Sequence, residues 1–463
     1  MDRPNLLLIV LDTVRRDRLS CYGHDRETTP TLDAFADRAT RYEQAVAAAP
    51  WTAPSHASMF TGQYPTRHRV FGSQPQLDEG LPVVADRLRA AGYTTMGFSN
   101  SFFTGVEHGY SRGFDTYHDL PSLPRPKWAG GHMFEATPEY ARFLARYFLT
   151  DDDVSYFQTA KARSELGRAD DPFFCFLNLR SAHNPYTPPP RYREPYEEQF
   201  TRWDEVDEET AHSVASGDGG ERYMVGDLDV GEADWDLVGH WYDAELRYMD
   251  DLLAGLFDQL KRDDIFEDTL VVVTSDHGEH LGEHGLLGHN FSLSEILVNV
   301  PLLVKWPDQT EERVSDELVS LADLAPTFAD VAGTSMGVET QGRSLVSDPE
   351  PEVVFSEYEG CYLPWRRRLG EQYARQFPRF DSRFQAARTK THKLVVDKHG
   401  EETLYGVGGG DFEEVAVDDE AVASDLRGHI DATLGTFPDV DGVPGSEELS
   451  SHVRGHLQEL GYL

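Results

Sequence analysis

The sequence has little cysteine, little positive charge and no long apolar run. Among its 463 residues are 3 Cys, and 42 Lys and Arg stand against 81 Asp and Glu. Cys21, Cys175 and Cys361 are odd in number, far apart and without a CxxC pair. The sequence therefore predicts neither a disulfide framework nor a zinc knuckle, and we expect reduced thiols in a cytoplasmic protein.

The formal net charge of −39 limits the partners of the chain. A field of this sign repels nucleic acid and anionic membrane surfaces, so we predict neither as a partner. The acidic residues are scattered along the whole chain, which is typical of halophilic proteins, because concentrated salt shortens the range of self-repulsion. An ordinary acidic protein with calcium-binding loops is the alternative, although the sequence contains no Asp/Gly calcium-loop repeat.

No apolar stretch approaches the length of a membrane span. The first one, Leu6–Leu11, is too short for the core of a signal peptide, and we interpret it as a buried strand. A hydrophobic content of 39%, including 25 Phe and 20 Tyr, is nevertheless ample for globular packing.

Short apolar runs alternate with amphipathic segments from residue 5 to about residue 332. This alternation predicts an α/β fold, with a mostly parallel sheet covered by helices on both faces. The predicted strands are Leu6–Leu11, Thr94–Phe98, Phe173–Leu179, Leu270–Thr274 and Pro301–Lys305. The predicted helices are Pro30–Ala39, Pro82–Ala91 and Trp235–Lys261.

The pattern changes in two regions. Between residues 120 and 231, prolines and the acidic stretch Asp204–Glu209 indicate long surface insertions, which often shape a substrate entrance. After a first domain over residues 1–348, a smaller α+β subdomain is predicted over residues 349–463. Its predicted elements are strands at Val353–Ser356, Gln385–Thr389, Lys393–Asp397 and Glu402–Tyr405, and a helix at Ser446–Leu460.

Polar residues follow three of the predicted strands, and ligands of open α/β sheets bind beyond such carboxyl ends. Asp12 follows the first strand, His183 comes shortly after the third, and Asp276 and His277 follow the fourth. Carboxylates with an imidazole suit Zn²⁺, Mn²⁺ or Mg²⁺. Asp12 taken alone is better explained as a cap or turn residue, so the interpretation depends on the set.

The segment from Trp51 to Gly62 predicts a helix with Thr52 at its N-terminus, since Pro54 suits the first turn and Gly62 the end. A hydroxyl there faces free backbone N–H groups and the positive end of the helix dipole. Both favour its ionised form and a bound tetrahedral oxyanion. For an isolated Thr, a simple helix cap would be the better explanation.

Together these segments resemble the sulfatase family of the alkaline phosphatase superfamily. The resemblance covers about residues 4–345, and the carboxyl-terminal part is also similar through Thr389–Leu394 and Leu404-Tyr405. The matching segments, in order, are Asn5–Asp12, Cys21–Gly23, Thr29–Asp33, Thr52–Gly62, Gly92–Thr95, His183–Tyr186, Tyr242–Asp250 and Ser275–Gly288.

The resemblance implies one divalent metal ion, Mn, Zn, Ca or Mg, held by Asp12, Asp276 and His277, with the nucleophile as a further ligand. The family nucleophile is a Cys or Ser oxidised to formylglycine, whereas this chain has Thr52. Because Thr bears a methyl group on Cβ, its oxidation would give a ketone. The hydrated aldehyde that expels sulfate therefore cannot form.

Three cationic positions of the family are also altered. His56 stands for an Arg, and Asn100 and His289 stand for two Lys residues. We expect all three to contact the substrate, with the histidines on non-bridging oxygens. His183 is predicted to protonate the leaving oxygen, because imidazole titrates near neutrality.

Asp236 and His240 lie one helical turn apart and resemble half of a second metal site, as in two-zinc relatives. A solvated helix face is the simpler interpretation.

The altered nucleophile favours phosphorus over sulfur as the reacting centre. A Thr alkoxide is a competent nucleophile for phosphorus, whereas a Thr-sulfate would have to be hydrolysed at sulfur without carbonyl assistance. The sequence predicts a metal-dependent hydrolase of a phosphodiester or phosphonate monoester, acting on a small-molecule, glycan or lipid-type anionic ester. The alternatives are a sulfuric ester hydrolase, a phosphoglycerol-type transferase and a catalytically weak binding module. The sequence predicts no oligomeric state.

The charge generates the first testable prediction. Because salt screens repulsion among acidic side chains, the melting temperature should rise between about 0.1 M and about 2 M KCl. Calorimetry at both concentrations measures this, and a melting temperature that is flat or falls would contradict the halophilic interpretation.

Overall fold

The computed structural model describes residues 3–72, 74–119, 154–169, 172–360, 383–408, 412 and 414–436. The strands form an eight-stranded sheet, a five-stranded sheet and a short pair. They are β1 (Asn5–Leu11), β2 (Thr40–Val46), β3 (Thr94–Ser99), β4 (Thr116–Asp119), β5 (Phe173–Leu179), β6 (Thr269–Thr274), β7 (His280–Leu281), β8 (Leu287–Gly288), β9 (Leu302–Lys305), β10 (Arg313–Ser320), β11 (Val354–Tyr358), β12 (Phe384–Arg388), β13 (His392–Asp397), β14 (Glu402–Gly406) and β15 (Val415–Ala416).

The large sheet has the strand order β10-β2-β9-β6-β1-β5-β3-β4. β9 runs antiparallel to β2 and β6, and the other neighbouring pairs are parallel, which confirms the predicted mostly parallel sheet. β1 lies at the centre with every residue buried. Its side chains alternate between two hydrophobic cores, one on each face, which explains the continuous apolar run of the sequence.

Helices cover both faces of the large sheet. Buried residues of α2, α4 and α11 join the core on one face, and those of α1, α5 and α9 join the core on the other. The helices are α1 (Pro30–Ala36), α2 (Thr52–Thr61), α3 (Pro65–His68), α4 (Val84–Ala90), α5 (Val154–Leu166), α6 (Pro190–Glu197), α7 (Glu208–Ser216), α8 (Gly219–Met224), α9 (Glu232–Arg262), α10 (Glu295–Val298), α11 (Leu324–Val331) and α12 (Glu420–Thr433).

The predicted strands and helices of the first domain are confirmed, with ends that shift by up to three residues. Three strands, β2, β4 and β10, were not predicted. β4 and β10 are the two edges of the sheet, where β4 has no buried residue and β10 only its last three, so neither carries an apolar run.

Part of the interpretation of residues 120–231 is wrong. Besides the predicted strand β5, the described part of this region contains the helices α5 to α8, which were not predicted. Asp207 caps α7 by accepting hydrogen bonds from the N–H groups of Glu209 and Thr210, so part of the acidic stretch begins a helix. Tyr196 of α6 and Val214 of α7 are buried in the core beside α9.

The five-stranded sheet is antiparallel, as predicted for the second subdomain, and α12 packs on it. The predicted helix Ser446–Leu460 lies outside the described residues. α12 was not predicted, although Asp419 before it is an N-cap residue that accepts from the N–H groups of Ala421 and Val422.

A buried ion network joins this second sheet to the first domain. Glu295, at the start of α10, accepts hydrogen bonds from Arg388 of β12 at 2.9 Å and from Lys393 of β13 at 3.1 Å. Burial opposes ionisation, but these two cations lower the pKa of Glu295 to about 2. The same helix holds the loop after β6, because Gly278 N–H donates to Leu297 C=O at 2.8 Å.

Candidate active site

Asp12, Asp276 and His277 come together at the carboxyl ends of two adjacent parallel strands. Asp12 follows β1, the other two follow β6, and all three are fully buried. One ligand atom from each lies within 4.8 Å of the others. His277 Nε2 is 3.3 Å from Asp276 Oδ2 and 4.0 Å from Asp12 Oδ1. Among the described residues, this is the one such group of three His, Cys, Asp or Glu side chains.

An unusual backbone conformation helps to fix the carboxylate of Asp276. Thr13 has a positive φ of 63°, which is strained for a β-branched residue. Its N–H donates to Asp276 Oδ1 at 3.2 Å, and the N–H of His277 donates to the same oxygen at 3.0 Å. Tyr242 of α9 holds the turn, because its hydroxyl donates to Thr13 C=O at 2.8 Å and accepts from Arg15 N–H at 2.9 Å.

The atoms at the centre of this group fit a divalent cation. His277 Nδ1 donates to Gly278 C=O at 2.9 Å, so the lone pair of Nε2 faces the carboxylates. Asp276 Oδ2 and both carboxylate oxygens of Asp12 are buried without a hydrogen-bond partner in the described residues. Burial, followed by the charge of Asp276, raises the pKa of Asp12 to about 8, and burial raises that of Asp276 to about 8. Acceptors that face one another without donors repel unless a cation binds between them.

Thr52 supplies the fourth polar group. It is the first residue of α2, follows the extended N-cap Trp51, and is 3% exposed. Its Oγ1 lies 3.4 Å from His277 Nε2. Ser55 of the same helix donates from Oγ to Asp276 C=O at 2.7 Å, which ties the helix N-terminus to the end of β6.

His56 belongs to the scaffold around Thr52. Its Nδ1 donates to Thr52 C=O at 2.9 Å and lies 3.5 Å from Asp276 Oδ2. The ring is fully buried, and burial lowers its pKa to about 3. A neutral His56 does not supply the charge of the arginine it replaces. Its contact with a substrate stays a prediction.

The imidazoles of His277, His289 and His183 lie in a row. The ring of His289 is 4.4 Å from that of His277 and 5.2 Å from that of His183. Nδ1 of His289 lies 3.4 Å from Glu279 Oε1, and Nδ1 of His183 donates to Asn184 C=O at 2.6 Å. Burial lowers the pKa of His289 to about 3 and that of His183 well below its usual value. Both rings are thus neutral near the predicted metal ligands.

Asn100, the third altered position, contacts Ser155. It follows β3 and donates to Ser155 Oγ at 3.4 Å, and Ser181 in the loop after β5 donates to the same oxygen at 2.9 Å. Its Oδ1 is buried without a hydrogen-bond partner among the described residues. Contact between Asn100 and a substrate stays a prediction.

Asp236 and His240 gather no further metal ligand among the described residues. His240 Nδ1 donates to Asp236 C=O at 2.8 Å, and Nε2 lies 3.4 Å from the guanidinium of Arg26. His240 is also buried and contacts the ring of Phe200, so it does not lie on a solvated face.

Two charged residues near the site, Glu279 and Arg180, were not predicted to have a role there. Glu279 is 1% exposed, and burial raises its pKa to about 8. Arg180, directly after β5, places Nη2 at 3.2 Å from His183 Nδ1. Both follow central strands as Asp12 and Asp276 do, and this placement was the signal available for them.

The sequence matches a known protein family over most of its length. The sulfatase family model matches residues 4–334, and a model described as N-sulphoglucosamine sulphohydrolase, C-terminal, matches residues 282–398. Over 397 residues the chain is 28% identical to a choline-sulfatase of Rhizobium meliloti (strain 1021), covering 78% of this chain and 76% of that relative.

Two solved structures share the fold. A phosphonate monoester hydrolase of Agrobacterium radiobacter superposes with a TM-score of 0.68 at 22% identity, covering 93% of this chain and 95% of that one. A protein solved with its substrate D-glucosamine-2-N,6-O-disulfate gives 0.71 at 20% identity, covering 95% and 99%.

The chain belongs to the sulfatase family, whose enzymes are metal-dependent ester hydrolases. In the part that the structure describes, no helix is long and apolar enough to cross a membrane.

The predicted metal ligands can be tested by substitution. Asp12→Asn keeps the shape of the side chain but removes its charge, so bound Mn²⁺ should fall from about one equivalent to a small fraction. Elemental analysis of protein dialysed against Mn²⁺ measures this. Chelation should lower the melting temperature of the wild type more than that of Asp12→Asn, because only the wild type has a bound metal ion to lose.

Asp250→Asn is the matched control. Asp250 is also a buried aspartate, but it accepts from the N–H groups of Thr31 and Leu32 away from the site. It should keep the full metal content. Equal metal content in Asp12→Asn and the wild type would show that these residues are not the ligands.

Proposed function

We propose that this chain hydrolyses a phosphodiester or phosphonate monoester through Thr52, with one divalent cation held by Asp12, Asp276, His277 and the Thr52 hydroxyl. The observation that carries the proposal is a hydroxyl that cannot be oxidised to an aldehyde in the nucleophile position of the family, with Oγ1 at 3.4 Å from His277 Nε2. A divalent cation supplies Lewis-acid chemistry, lowering the pKa of a coordinated hydroxyl and withdrawing charge from non-bridging oxygens.

The reaction proceeds in two displacements. Oγ1 of Thr52 forms a bond to phosphorus, and the bond from phosphorus to the leaving oxygen breaks. Water then attacks phosphorus, the bond to Oγ1 breaks, and the Thr52 hydroxyl is restored. The N-terminus of α2 favours the transferred oxyanion throughout, because its backbone N–H groups and dipole attract negative charge.

His183 is the proposed proton donor to the leaving oxygen, but as a neutral ring it first needs a proton. Its Nδ1–H is engaged with Asn184 C=O, so Nε2 carries the lone pair. We infer that the proton lost by Thr52 reaches this row of rings and is then delivered to the leaving oxygen. The number of protons is conserved, because the nucleophile loses one proton and the leaving group gains one.

Sulfate ester hydrolysis is the second candidate, favoured by the choline-sulfatase relative. The side chain at position 52 argues for phosphorus, because displacement at phosphorus needs no aldehyde hydrate. For either reaction we propose a small-molecule, glycan or lipid-type ester whose transferred group is anionic.

Substitution of the nucleophile tests the proposal. Thr52→Ala should lower kcat/KM by about three or more powers of ten, because the attacking oxygen is lost. Thr52→Ser should retain a measurable fraction, because the hydroxyl survives. The substrates are bis(p-nitrophenyl) phosphate, p-nitrophenyl phenylphosphonate and p-nitrophenyl sulfate, each with several divalent metals.

Thr61→Ala is the control, since Thr61 is a buried threonine at the other end of α2, where its Oγ1 donates to Ala57 C=O at 2.7 Å and accepts from Gln63 N–H at 3.3 Å. It should leave kcat/KM within about threefold. Near wild-type turnover by Thr52→Ala would make Thr52 a helix cap and overturn the proposal. Preference for the sulfate ester would support the second candidate.

A further inference from the structure

We infer that Arg180 binds the non-bridging oxygens of the transferred group and takes over the task of the cations that the family carries at other positions. The inference deepens the proposed function and rests on it for the identity of the reacting group. The placement of Arg180 carries the argument.

The sheet puts Arg180 beside a predicted metal ligand. In the parallel pair of β1 and β5, Leu11 lies opposite Leu179, and the N–H of Asp12 donates to Leu179 C=O at 2.8 Å. Arg180 and Asp12 are therefore the next residues of two neighbouring strands, about 5 Å apart in the backbone. Both stand at the carboxyl edge of the sheet, where the site lies.

The side chain of Arg180 turns towards that site. Its Nη2 lies 3.2 Å from His183 Nδ1, at one end of the row of rings that runs through His289 to His277. The guanidinium thus lies beside the proposed proton donor, at the edge of the sheet that carries Asp12.

The side chains at the altered family positions cannot replace a permanent charge. Asn100 is neutral, and His56 and His289 are charged only when protonated. Arginine, in contrast, carries a permanent positive charge. A guanidinium also offers two parallel N–H donors, which match two oxygens of one tetrahedral group.

A second arginine, Arg15, holds a loop beside the site. It approaches the site, since its Nη1 donates to Glu279 C=O at 3.2 Å, but two carboxylates already engage it. Asp17 lies at 2.7 Å and Glu283 at 2.6 Å from its guanidinium nitrogens. The hydrogen-bond donors of Arg15 therefore hold the loop after β6 in place.

Arg180 should act most strongly in the transition state. As Oγ1 of Thr52 approaches phosphorus, the non-bridging oxygens hold the charge while they move to a planar arrangement. A fixed guanidinium stabilises that arrangement without reorganising. Loss of Arg180 should therefore lower kcat as well as weaken binding of the anion.

The experiment compares Arg180→Gln, Arg180→Lys and the wild type, all loaded with Mn²⁺. Calorimetric titration with inorganic phosphate measures anion binding without turnover. We expect Arg180→Gln to raise the Kd by about 10- to 100-fold, and Arg180→Lys by less, because the charge remains while the paired donors are lost. kcat/KM for the best ester should fall about 100-fold or more in Arg180→Gln, with metal content unchanged.

Arg163→Gln is the matched control, because Arg163 lies on α5 against Gly255, on a surface cleft outside the site. It should bind phosphate as the wild type does. If Arg180→Gln fails to fold, Arg180→Lys tests the inference. A raised Kd for phosphate with unchanged metal content would support it, and the Kd of the wild type would overturn it.

The outcomes separate the two proposals. If Arg180→Gln binds phosphate more weakly but neither the wild type nor any variant turns over an ester, the result would support the role of Arg180 in anion binding. The same result would refute the proposed function. Wild-type phosphate affinity in Arg180→Gln would overturn the inference whatever the activity. A loss of bound metal in that variant would also overturn it, because Arg180 would then act on the metal site.

Discussion

The arrangement of the site depends on the repulsion between buried acceptor atoms. The described residues supply no hydrogen-bond donor to either oxygen of Asp12 or to Asp276 Oδ2. Asp12 and Asp276 are both fully buried, and the lone pair of His277 Nε2 points at them from 3.3 Å and 4.0 Å. Removing such groups from water without donors is costly, and a cation bound between them would offset that cost. The fold is organised to hold these acceptors together against that repulsion.

Each surrounding element contributes to this restraint. The strained turn at Thr13 aims an N–H at Asp276, and Tyr242 on the long helix α9 holds that turn from the opposite side. The N-terminus of α2 is bonded to the end of β6 through Ser55. The second sheet takes part from further away, because its ion network with Glu295 fixes α10, which in turn bonds the loop after His277. A change in that sheet can therefore reach the site.

The sequence predicted the centre of the site and the centre of the sheet for the same reason. Strands buried on both faces are continuous apolar runs, and the polar residues that end them, such as Asp12 and Asp276, stand out. Edge strands such as β4 and β10 lack that signal because few of their residues are buried. The role proposed for Arg180 could not be predicted from the sequence, although Arg180 directly follows a predicted strand. That role depends on side chains from β1 and on the loop that contains His289. Likewise, nothing local shows that Glu295 pairs with Arg388, which is 93 residues away.

The central claim is that Asp12, Asp276, His277 and Thr52 surround one divalent cation. Diffraction from crystals grown with Mn²⁺, recorded at the manganese absorption edge, tests it most directly. The account predicts a single strong anomalous peak about 2.0 to 2.3 Å from the carboxylate oxygens, Nε2 and Oγ1. No peak at this position, or the strongest peak beside Asp236 and His240, would contradict it.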